Sequence, residues 1–177
     1  MLFRFASVFT YLFLRDIGMS RLGALAGGVV FAFCGFMTAH LGHLPMVLVA
    51  TWIPLMLLLV RRALLKETIV GWAWAVGAGL CMAVAIFAGH LQIFAYGLIA
   101  SAVLWLYLLL GKKPITPRVV ALWVAKGALM LTIALGIGAG QLLPSADMSS
   151  HSSRGKVGYE EASGFPARPL TTLTRVP

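Results

Sequence analysis

Three histidines and a glutamine are the side chains in this sequence best suited to bind a ligand: His40, His43, His90 and Gln92. His40 and His43 are three apart, so on a continued helix they share a face. Together with His90 they could ligate a metal or hold a haem iron. They could also bond a phosphate, which backbone N–H groups at helix starts favour as well. The H-E-x-x-H spacing of helical zinc sites is absent, and nothing else in the chain supports haem. No metal site is therefore assigned, and no cofactor is evident. The plainest alternative is a set of interfacial histidines that cap helix ends or bond lipid headgroups. Further along lie Tyr159, Glu160 and Glu161. Adjacent carboxylates in an extended chain point to opposite sides, so Glu160 and Glu161 are not an acid/base pair. Cys34 and Cys81 are spaced neither for zinc nor for a disulfide framework and read as small buried hydrophobes.

The elements that must position these groups are membrane helices. The chain has 177 residues, of which 60% are hydrophobic and only 11% charged, with a mean hydropathy of +0.95. A soluble domain needs far more charge to cover its surface. Apolar runs recur instead at about the 20 residues needed to cross a bilayer. Embedded backbone must satisfy its own hydrogen bonds, which leaves helices or closed barrels. The runs are continuous rather than alternating, so the expected fold is all-α, a polytopic transmembrane bundle of about six helices. Approximate spans are 2–14, 22–39, 46–60, 69–88, 91–110 and 119–143. Ser20 is placed to cap the second run. Gly23, Gly27, Gly28 and Gly35 allow close helix approach in lipid, and Pro54 should kink the third run. Trp52, Trp72, Trp105 and Trp123 read as membrane anchors or packing. Lys126 sits early enough in the last run to snorkel to the interface. Residues 1–143 form the membrane region. Residues 144–177 are polar, rich in Ser, Gly and Pro, and read as a loop or tail that is cut short. The first run is short for a span, so the chain is expected to be part of a longer polypeptide.

The net charge of +9 does not point to nucleic acid, because the basic residues sit in short clusters between apolar runs. Arg15, Arg21, Arg61, Arg62, Lys66, Lys112, Lys113 and Arg118 all follow the first, third and fifth runs. The breaks after the second and fourth runs hold no Lys or Arg. By the positive-inside rule, loops 15–21, 61–68 and 111–118 should be cytoplasmic. Segments 40–45, 89–91 and 144–177 should be extracytoplasmic. The histidines, Gln92, Tyr159 and Glu160 then share one membrane face, where ionisable groups are functional candidates by default.

Three stretches resemble the YfhO family of bacterial membrane proteins, a branch of the GT-C glycosyltransferase fold. The first is 20–54, with Gly35-Phe36, the run Ala39-His40-Leu41-Gly42-His43, and Met46. The second is Ala88-Gly89-His90-Leu91-Gln92-Ile93 with the aromatic run after it. The third is Gln141-Leu142-Leu143-Pro144, followed by Tyr159-Glu160 and Phe165-Pro166-Ala167-Arg168-Pro169. The resemblance implies an N-proximal fragment of a sugar transferase in the bacterial cytoplasmic membrane. Its implied partners are membrane lipid, a polyprenyl-phosphate-linked sugar and a cell-envelope acceptor on the outer face. The resemblance also implies a catalytic acid upstream of Met1, acting as general base or as ligand to a divalent metal in the full-length protein. On this view the isolated chain is inactive. It places His40, His43, His90, Gln92, Tyr159 and Glu160 along the substrate pocket, with no catalytic residue among them. The alternatives are a transporter or flippase-like subunit, favoured by Gly-rich spans and Pro54, and a non-catalytic assembly subunit.

Overall fold

The computed structural model describes residues 1–151, so Tyr159 and Glu160 lie outside the described residues. Among the described residues seven helices follow in order: α1 (Leu2–Asp16), α2 (Arg21–Ala32), α3 (Gly35–Ala39), α4 (Leu44–Leu65), α5 (Ile69–Phe87), α6 (Leu91–Gly111) and α7 (Pro117–His151). Five segments among the described residues are long and apolar enough to cross a bilayer: Arg21–Ala39, Leu44–Leu65, Ile69–Phe87, Leu91–Gly111 and Pro117–Ser149. The chain is a multi-pass helical membrane protein. Met1–Gln141 forms one compact unit, and the described part of a second begins at Leu142.

Helix α4 is the organising element of the first unit, packing against α1, α5 and α6. Its inner face carries Val47, Ala50, Pro54, Met56, Val60 and Ala63, all buried. Burial of apolar area gives little drive between helices already in lipid, so close packing has to hold them. Glycines supply it at specific levels. A Cβ at Gly28 would stand 2.6 Å from the Ser7 carbonyl oxygen, so α2 rides directly on the α1 backbone. A Cβ at Gly79 would stand 2.9 Å from the Met130 carbonyl oxygen, which brings α5 onto α7. Phe9 meets Trp52 with ring centroids 5.3 Å apart, locking α1 to α4. Three buried hydroxyls bond their own helices. Thr10 donates to Ala6, Thr51 to Val47 and Ser101 to Gly97, each at 2.8 Å. None is then left unpaired in hydrocarbon.

The helix ends follow ordinary capping chemistry. Ser20 accepts from Gly23 N–H at 3.1 Å, the expected N-cap of α2. Gly18, with φ +96°, terminates α1 in a Schellman motif. There Met19 N–H donates to Leu14 and Gly18 N–H to Arg15.

Three boundaries differ from the hydropathy reading. The second run is two helices, because Cys34 is extended and restarts the chain as the N-cap of α3. Pro45 does not extend the polar break but occupies the first turn of α4, where its missing N–H costs nothing. Helix α7 continues through Pro144 to His151, so 144–151 is helix rather than loop. A proline removes one intrahelical bond, and Ser145, Ala146, Asp147 and Met148 do not break the helix after it.

Candidate functional site

Up-and-down packing gives the first unit two unlike ends. At one end α3 stops, α4 and α6 begin, and α5 stops. His40 is the C-cap of α3. Its ring lies 4.6 Å from Phe36, and its Nδ1 is 2.9 Å from the Phe36 carbonyl oxygen. A carbonyl only accepts, so Nδ1 carries the proton and neutral His40 presents a lone pair at Nε2. His43 is the N-cap of α4, exposed, and makes no side-chain cap bond. Its N–H donates to the His40 carbonyl at 2.8 Å, and the two imidazole centroids are 6.2 Å apart. The turn thus brings together the pair that the spacing marked.

His90 is the N-cap of α6. Gly89, with φ +86°, makes the tight reversal that delivers it. Nδ1 of His90 accepts from Ile93 N–H at 3.3 Å. Neutral His90 therefore has the opposite tautomer from His40 and presents Nε2–H as a donor. Gln92 lies one turn before Tyr96 and donates to its hydroxyl at 2.8 Å. Among the described residues, no three His, Cys, Asp or Glu side chains converge into a metal-holding group. The topology puts His40, His43, His90 and Gln92 at one end of the bundle. In the second unit, Nδ1 of His151 bonds the Asp147 carbonyl at 3.0 Å, one helical turn back.

The opposite end is a lattice of charge. Asp16, at the end of α1, pairs with Arg61 and accepts from Arg62 Nε at 2.8 Å. The Arg62 guanidinium also lies 4.9 Å over Trp74. Lys112 pairs with Glu67 and sits 5.7 Å over Trp123. The Lys112 ammonium, by donating to Glu67, holds that carboxyl below the usual glutamate range. Lys126 does not snorkel to water. It is fully buried and donates to the Ala63 carbonyl at 2.7 Å and the Lys66 carbonyl at 2.6 Å. These carbonyls belong to the end of α4, which has no intrahelical donors left for them and carries the negative pole of the helix dipole. A lysine from α7 therefore caps α4.

Asp16, Lys126 and Trp123 are the groups that sequence reasoning undervalued. The available signal was position: Asp16 is the only acid before Glu67, and Lys126 is the only charge within the last apolar run. No known protein family, curated protein or solved structure matches the chain. Fold and site together define a polytopic helical membrane protein with a charge-stitched end and a histidine-bearing end.

Proposed function

We propose that this chain is part of a GT-C-type glycosyltransferase of the bacterial cytoplasmic membrane. In this reading the histidine end faces out of the cytoplasm and contacts a polyprenyl-phosphate-linked sugar, which is transferred to a cell-envelope acceptor. The observation that carries it is the segregation of the two ends. Basic side chains gather in ion pairs at one end, as expected of a cytoplasmic face. At the other end α4 and α6 start directly after His43 and His90, so two helix N-termini open beside imidazoles. That combination favours an anion such as a lipid-linked phosphate. His90 Nε2–H donates to a phosphate oxygen, while His40 Nε2 accepts from a hydroxyl of the sugar. The stretches that resemble the YfhO family, 35–46 and 88–93, fall at this end. The chain then supplies donor binding, and the catalytic acid comes from elsewhere in the full-length protein.

The test is sugar transfer by the full-length protein in membranes carrying His43→Ala or His90→Ala. Strong loss of transfer with normal membrane insertion supports the reading. Wild-type transfer by both variants removes these residues from the mechanism.

A further inference from the structure

The second site lies at the charged end, away from the histidines, and does not rest on the reading above. A cavity of about 690 Å³ opens between the end of α6 and the start of α7. This is within the usual size range of ligand pockets, about 300–1,000 Å³. Leu65, Tyr107, Leu108 and Leu110 make its apolar wall, with Lys112 and Trp123 completing it. Two observations show what it lacks. Trp123 is 1% exposed, and its indole Nε1–H has no hydrogen-bond partner among the described residues. An indole nitrogen can only donate, so a residue lining the cavity carries a desolvated donor without an acceptor. Positive charge is also in surplus, since Lys112, Arg118 and Lys126 all act on the single carboxylate of Glu67. Lys113 adds another exposed cation next in sequence. The Lys112 ammonium has three N–H donors and gives only one bond to Glu67.

We propose that this cavity binds one anionic glycerophospholipid of the adjacent leaflet. Its phosphate sits on Lys112 and Lys113, an ester carbonyl accepts from the Trp123 indole, and an acyl chain runs along Tyr107, Leu108 and Leu110. The depth suits such a ligand, because α6 ends at Gly111, where headgroups meet the helix and Trp, Tyr and Lys commonly gather. Leu110 and Tyr107 are well exposed on the bundle surface, as a wall shared with lipid should be. Charge complementarity selects the headgroup, and each basic side chain near it contributes about fivefold in affinity.

The experiment is tryptophan-fluorescence quenching of the purified chain by brominated phosphatidylglycerol and brominated phosphatidylcholine. The Trp123→Phe variant isolates the Trp123 signal. The expected result is half-quenching of that component by phosphatidylglycerol at about one-fifth or less of the phosphatidylcholine concentration. Lys112→Gln should reduce that preference about fivefold. Lys113→Gln, exposed and outside the Glu67 pair, should reduce it as well, and it serves if Lys112→Gln fails to fold. Native mass spectrometry should show weaker retention of phosphatidylglycerol by Trp123→Phe than by wild type. Equal quenching by the two lipids, or an undiminished preference in Lys113→Gln, would overturn the proposal. Unchanged lipid retention by Trp123→Phe would do the same.

Discussion

Replacing Lys126 with methionine probes the least expected contact in this fold. Methionine keeps most of the stem volume and removes the ammonium. In the wild type that ammonium donates to the carbonyls of Ala63 and Lys66 at 2.7 and 2.6 Å. Two opposing effects follow. Loss of the charge relieves the cost of holding an ammonium away from water, which is several kcal/mol for an unpaired ion. Here the ion is paired with a helix C-terminus, so most of that cost is already met. Against the relief stands the Ala63 carbonyl, on a fully buried residue. Left without a donor, such a group costs about 1–3 kcal/mol. The Lys66 carbonyl costs less, because Lys66 is exposed and water can reach it. The net expectation is a loss of about 1–3 kcal/mol. For a chain of this size that lowers the unfolding midpoint by roughly 2–12 °C. The assay is thermal unfolding in detergent followed by circular dichroism, with Arg21→Met as the control for loss of an exposed cation. If Lys126→Met matched or exceeded the wild-type midpoint, the idea that this ammonium caps α4 would be wrong.

Further outcomes follow from the same geometry. Gly71→Ala should prevent normal packing, because its Cβ would fall 1.8 Å from the Lys66 carbonyl oxygen and 2.7 Å from Lys126 Nζ. Gly77→Ala on the same helix meets only Leu59 Cδ2 at 3.8 Å and should be neutral or gain up to ~1 kcal/mol of helix propensity; unfolding midpoints of the pair compare the two. Asp16→Ala should cost about 1–3 kcal/mol, because it strips the partner from both Arg61 and Arg62 at a half-buried site. Glu67→Ala, in an exposed and solvent-screened pair, should lower the midpoint less than Asp16→Ala in the same assay. The depressed Glu67 pKa stabilises the fold above the unfolded-state value and loses that contribution as pH falls through the folded-state value. The midpoint should therefore drop more steeply below pH ~4 in wild type than in Glu67→Gln.

Hydrophobic run length makes the spans legible, since each apolar stretch has to become a helix once backbone pairing in lipid is required. The fine boundaries are less so. Phe33 and Cys34 are as apolar as their neighbours, so hydropathy passes over the break between α2 and α3. Pro45 and Pro144 both read as helix ends, yet one starts a helix and the other sits inside one. The His40–His43 pair is legible because a short turn keeps residues three apart together. The role of Lys126 is not, because its partners lie about 60 residues earlier in the chain. Only tertiary packing reveals that the end of α4 needs a donor there. The tautomers of His40 and His90 likewise depend on the carbonyl or N–H that each ring meets.

The orientation of the bundle underlies the proposed function and can be measured directly. Gly42→Cys has open space for its side chain, and Lys113→Cys lies at the charged end. Each is placed in a background with Cys34→Ser and Cys81→Ser and treated with a membrane-impermeant maleimide. The account predicts that Gly42→Cys reacts on intact cells and that Lys113→Cys reacts only after the membrane is opened. The reverse pattern would put the histidine end in the cytoplasm and contradict the outward-facing site.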